Sequence, residues 1–131
     1  MTNRTIICLH GYGKRRGVQF KYLIDNLNDY QFVCPNYYSL DPDDTDYKSW
    51  LNRAEDCFIE HKDEELIVIG FSLGAVIGSY FANKYNVKKM IFLGASFEYD
   101  YFITLSMNKR YRTINFTNRT SAIINYINKG I

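Results

Sequence analysis

The chain has 131 residues, with 16 Lys and Arg against 14 Asp and Glu and a net charge of +2. That length predicts one domain spanning residues 1–131, able to bury roughly two thirds of its unfolded surface without staples, and the mixed charge excludes an electrostatic nucleic-acid binder, which needs a clustered basic face. Three cysteines, Cys8, Cys34 and Cys57, each lie in an apolar segment, so they predict buried thiols in a reducing compartment rather than a disulfide framework.

The first predicted strand is Arg4–Leu9. It starts so close to Met1 that no secretory signal fits before it, and no apolar stretch approaches ~18 residues, so the expectation is a cytoplasmic chain with no membrane span. Leu9-His10-Gly11-Tyr12-Gly13 follows at once, then a basic run, Lys14 to Arg16, read as a solvated loop. Val18 to Asn28 carries Phe20, Leu23, Ile24 and Leu27 at helical spacing, and Gln31–Cys34 reads as the second strand. Asp41, Asp43, Asp44 and Asp46 lack the glycine turn and the closing glutamate of a calcium loop, and negative charge ahead of a helix is favoured in any case; no metal is expected.

Tyr47 to His61 reads as an amphipathic helix with Trp50, Leu51, Ala54, Cys57 and Phe58 on one face and His61 as a cap in its last turn. Leu66–Ile69 is the third strand, and Gly70-Phe71-Ser72-Leu73-Gly74 leads from it into a helix, Ala75 to Lys84. Leu73, Val76, Ile77, Tyr80 and Phe81 are expected on the inner side of that helix, and Gly74 and Gly78 are small enough to let it approach a sheet closely, which makes it the most buried helix. Met90–Leu93 and Arg112–Phe116 are the last strands, and Ser121 to Asn128 closes the pattern with Ile123, Ile124 and Ile127 before Gly130. Short apolar runs alternating with helices predict an α/β domain with a parallel sheet.

The chemistry concentrates at the Gly-x-Ser-x-Gly turn. A strand-to-helix turn forces its serine into a strained conformation with the hydroxyl raised above the sheet, so Ser72 is the candidate nucleophile. The helix that follows points free N–H groups and a partial positive charge at the same spot, which makes the Leu73 N–H a donor to an oxyanion on the attacked carbonyl.

These two motifs, Leu9-His10-Gly11-Tyr12-Gly13 after the first strand and Gly70-Phe71-Ser72-Leu73-Gly74 after the third, resemble those of the α/β-hydrolase family, and the resemblance runs to about Phe97. It implies a three-layer, doubly wound parallel sheet of about five strands in the order 2-1-3-4-5. It also implies an oxyanion hole made by the Tyr12 and Leu73 N–H groups, with Gly11 and Gly13 shaping the binding loop. In the family the order is serine, acid, histidine, with the histidine after the last strand. The only histidines here, His10 and His61, both precede Ser72. His10 is then the candidate substitute base, His61 a helix cap, and Glu98 or Asp100, after the fourth strand, the candidate acid; near Ser121, where most relatives place the acid, there is no carboxylate.

The function so implied is hydrolysis of small carboxylic esters or related acyl compounds through Ser72, with no cofactor. The alternative is a non-catalytic relative, or a fragment of a longer protein, that keeps the pocket for binding. Flavodoxin-like folds share the strand order, but no phosphate-cradling glycine loop follows the first strand.

Overall fold

Strands covered by helices on both faces must be apolar throughout rather than alternating, and the central runs of this chain are. Arg4–Leu9 (β1) buries every residue after Arg4, Glu65–Phe71 (β3) everything between its two ends, and Met90, Ile91 and Phe92 of Val87–Leu93 (β4) are buried too. The computed structural model describes residues 4–11, 20–37, 47–82, 84–93, 112–116, 124 and 127–128. With Lys21–Asn26 (α1), Gln31–Val33 (β2), Tyr47–Glu60 (α2), Leu73–Ala82 (α3) and Arg112–Phe116 (β5), these elements form a parallel sheet of five strands, ordered β2-β1-β3-β4-β5 as expected. None of the helices among the described residues is long and apolar enough to cross a membrane.

The pleat sorts the strand side chains into two cores. Ile7, Leu9, Leu66, Val68, Met90 and Phe92 face α2 and α3, where Trp50, Ala54, Phe58, Ala75 and Phe81 meet them. Their neighbours Ile6, Cys8, Ile67, Ile69 and Ile91 face the other way, onto Phe20, Leu23 and Leu27 around α1 and onto Ile127. Helices therefore cover both faces, which gives three layers. Lys89 fastens the turn at residues 127–128 by donating from Nζ to the Ile127 carbonyl at 3.1 Å.

Two local expectations change. α3 is the most buried helix and turns Ile77 and Phe81 inward as expected, but its other buried residues are Gly74, Ala75, Gly78, Ser79 and Ala82, whereas Tyr80 is 58% exposed and Leu73 and Val76 are only half-buried. Close approach of the two glycines to β1 and β3 rotates the helix away from the stripe of large residues. His61 lies just beyond the end of α2, and its Nδ1 bonds to Glu64 Oε2 while Thr5 Oγ1 donates to Glu64 Oε1 at 2.9 Å. This cluster sits where β3 begins; Ser72 follows its last residue, about 20 Å away at ~3.3 Å per strand residue. Of the closing helix, Ile127 is buried and Ile124 packs on the same core; residues 121–123 and 125–126 lie outside the described residues.

Candidate active site

Register brings the two motifs together. β1 pairs with β3 so that Leu9 lies opposite Gly70, which sets the residues after β1 beside the turn after β3. A Cβ built on Gly11 would lie 3.7 Å from Ser72 Cβ, 3.2 Å from Phe71 Cδ1 and 3.4 Å from the Phe71 carbonyl oxygen. The His-Gly loop thus rests directly on the serine turn.

Ser72 has φ +53°, and it is the one non-glycine residue with positive φ among those described. The left-handed region is unfavourable for a side chain, so the surroundings must hold it there. Two glycines do so. A Cβ on Gly70 would meet the Gly74 carbonyl oxygen at 2.5 Å and Ala75 N and Cα at 2.6 Å, and a Cβ on Gly74 would meet the Leu9 carbonyl oxygen at 2.0 Å. Each glycine permits a backbone-to-backbone approach, first of β3 to α3 and then of α3 to β1. Between them the chain reverses within one residue, closed by Ala75 N–H donating to the Ser72 carbonyl at 2.9 Å. The first N–H groups of α3 have no carbonyl partner inside the helix, so its first turn offers donors beside the serine hydroxyl.

His10 is fully buried. Its Nδ1 lies 2.8 Å from the Gly11 carbonyl oxygen, which can only accept, so the ring carries its proton on Nδ1 and a lone pair on Nε2. Nε2 has no hydrogen-bond partner among the described residues. Burial pushes the imidazole below its ordinary value near 6.5, and the Gly11 carbonyl, which favours a charged ring, opposes that shift without cancelling it.

Tyr37, which no periodicity or motif marks, completes the surroundings of His10. It is fully buried, stacks on the imidazole with ring centroids 4.3 Å apart and planes 15° from parallel, and donates its hydroxyl to the His10 carbonyl. Arg53 of α2 in turn donates from Nε to the Tyr37 carbonyl at 2.7 Å. Only a buried tyrosine's need for a hydrogen-bond partner hints at this from sequence.

Of the other predicted site residues, Leu73 is the first residue of α3, which starts two residues ahead of the expected Ala75. Tyr12, Gly13, Glu98, Asp100, the basic run 14–16 and the acidic run 41–46 lie outside the described residues. No grouping of His, Cys, Asp and Glu suited to a metal ion occurs among the described residues. A separate groove of about 640 Å³ runs along the β2 edge between α1 and α2, lined in part by Cys34, Arg53, Asp56 and Cys57.

Residues 4–111 match the family described as alpha/beta hydrolase fold. A curated relative, "Putative esterase/lipase 3" of Mycoplasma genitalium, is 32% identical over 92 residues that cover 66% of this chain and 33% of that protein. Among solved structures, an esterase from Exiguobacterium antarcticum superposes with TM-score 0.57 at 24% identity over 72% of this chain and 39% of that one. A marine microorganism esterase gives 0.55 at 24% over 71% and 38%, and an α/β hydrolase from Novosphingobium aromaticivorans gives 0.58 at 22% over 70% and 35%. The chain spans about a third of the length of the curated relative. At these identities the solved structures speak for the fold, and together with the family match over residues 4–111 they show that this chain belongs to the α/β-hydrolase fold family.

Proposed function

We propose that this chain carries the nucleophile and oxyanion hole of a serine hydrolase acting on small carboxylic esters. The observation that supports it is the positive φ of Ser72, locked between Gly70 and Gly74 at the start of α3. A strained residue is retained where the strain does something, and here it lifts one hydroxyl over the end of the sheet beside a helix N-terminus. The esterase/lipase name of the curated relative points to the same substrate class.

In this reading Ser72 Oγ attacks the ester carbonyl, and its proton passes through solvent water to the departing alkoxide. The carbonyl oxygen takes the negative charge and is met by the N–H groups of Leu73 and Tyr12. Water then attacks the acyl-serine, releasing the acid and restoring the hydroxyl. His10 enters as a residue that shapes the loop: its ring is fully buried and its Nδ1–H is committed to Gly11. Glu98 or Asp100 remains the proposed acid.

The test is labelling of the full chain by a fluorophosphonate probe, with p-nitrophenyl acetate as substrate. Labelling is expected to be slow, because a serine without an assisting imidazole stays protonated, and Ser72→Ala is expected to abolish labelling and hydrolysis alike. Labelling as rapid as that of an intact serine hydrolase, lost in His10→Ala, would return the base role to His10. Undiminished labelling of the Ser72→Ala protein would refute the function.

A further inference from the structure

We propose that Tyr37, braced by Arg53, is a positioning residue of the oxyanion loop, acting through His10 on the Gly11 peptide; the catalytic part of this rests on the serine hydrolase reading above. The tyrosine hydroxyl fixes the His10 carbonyl and the His10 Nδ1–H fixes the Gly11 carbonyl at 2.8 Å. Two successive carbonyls are therefore held by two rings that stack on one another at 4.3 Å. The peptide that begins at Gly11 is planar and rigid, so holding its carbonyl fixes its orientation where the chain leaves β1 for the loop. Gly11 also rests on Phe71 and Ser72, so a turn of that peptide is felt at the nucleophile.

The chemistry of Tyr37 suits this role better than a role in packing. A phenylalanine would fill the same buried volume and stack on the same imidazole without a hydroxyl to satisfy. The hydroxyl's described bond goes to the loop, and the Arg53 guanidinium holds the Tyr37 backbone from α2 at 2.7 Å, so the brace runs from an exposed helix residue to the site. Its end, the His10 ring, stays neutral because it is buried, which keeps a single proton on the nitrogen that faces Gly11.

Four variants of the full chain test this: Tyr37→Phe, Arg53→Gln, His10→Asn and His10→Gln. An asparagine amide can place an N–H where Nδ1 stands, and a glutamine amide reaches toward Nε2. With p-nitrophenyl acetate, Tyr37→Phe and His10→Gln are expected to lower kcat about tenfold with KM little changed, since a misdirected donor weakens the transition state more than ground-state binding. His10→Asn is expected to recover most of that loss. The second readout is independent of turnover: Tyr37→Phe is expected to shift the Gly11 and Ser72 amide resonances and the His10 ring N–H signal in 15N spectra. Should Tyr37→Phe fail to fold, Arg53→Gln, made at an exposed position, is expected to move the same resonances in the same direction. Unmoved resonances in both variants overturn the brace. His10→Asn as inactive as His10→Gln, with the Gly11 amide unshifted, overturns it in favour of His10 as the base. Absence of any Ser72-dependent turnover in the wild type refutes the hydrolase reading alone, and the resonance shifts still decide whether the brace exists.

Discussion

Replacing Gly74 by alanine tests the steric lock around Ser72. The added methyl would lie 2.0 Å from the Leu9 carbonyl oxygen, 2.6 Å from the Leu9 carbonyl carbon and 2.9 Å from the His10 carbonyl oxygen. All three atoms are backbone, so no side chain can swing aside, and the start of α3 must retreat from β1 by more than an ångström. Overpacking of this kind destabilises by about 3 kcal/mol, at the upper end of its usual range, and the better helix propensity of alanine returns about 1 kcal/mol. The net loss, about 2 kcal/mol, corresponds to a fall of roughly 8 °C in Tm for a domain of this size.

Gly78→Ala is the internal control. It gains the same propensity, but its methyl meets only side-chain atoms, Val68 Cγ1 at 3.0 Å and Leu9 Cδ1 at 3.2 Å, so its stability is expected to stay within about 1 kcal/mol of the wild type. Urea unfolding followed by circular dichroism measures both variants, and fluorophosphonate labelling reports whether Ser72 has moved. A Gly74→Ala protein as stable as Gly78→Ala, labelled at the wild-type rate, would refute the claim that backbone contact fixes this turn.

Two further expectations follow from titratable groups. His10 is held below its ordinary value near 6.5, so between the folded and unfolded values the unfolded chain binds more protons; stability rises with pH there and is lost as pH falls below about 6.5. Urea midpoints at pH 7.5 and 5.5 should show this slope in the wild type and less of it in His10→Asn, and equal slopes would contradict the assignment. Burial pushes the Cys57 thiol up to about 12, helped by Glu60 and Cys34, and holds Cys8 well above the usual thiol range. Iodoacetamide at pH 8 should therefore leave Cys8 and Cys57 unmodified in the folded protein and alkylate both in urea, as read by peptide mass spectrometry; rapid native modification of Cys57 would overturn this.

Much of the frame was legible because it is local. Arg4–Leu9 and Arg112–Phe116 read as strands over the bounds observed, the parallel sheet followed from alternation of strands and helices, and its order came with the family resemblance. β3 and β4 run longer than their apolar cores suggested, since pairing continues through Glu65 and, across a register shift that skips Lys88, through Lys89 to Val87. The site divides along the same line. Gly70, Ser72 and Gly74 form one contiguous motif whose geometry is set within five residues. The contacts of His10 with Tyr37, of Tyr37 with Arg53 and of Thr5 with Glu64 depend on where loops return to the sheet, and no spacing encodes them. The inner face of α3 was read in part, with Ile77, Phe81 and the close approach of Gly74 and Gly78 as expected and Leu73, Val76 and Tyr80 misplaced, because hydrophobic periodicity weighs large side chains.

The pairing of β1 with β3 also governs when the site can exist. Arg4 faces Glu65 and Leu9 faces Gly70, so the strand carrying the His-Gly loop finds its neighbour only some 60 residues later in the chain. During synthesis, at about 5–20 residues per second, β1 has an apolar surface on both faces and no β3 to cover it for several seconds. β2 can pair with it sooner, through Thr5 with Gln31, Ile6 with Phe32 and Ile7 with Val33, but that leaves the other edge open until α2 has passed. The nascent chain is therefore most prone to aggregate between the completion of β2 and the arrival of β3, and mutations that slow α2 should lower the soluble yield without touching the serine turn.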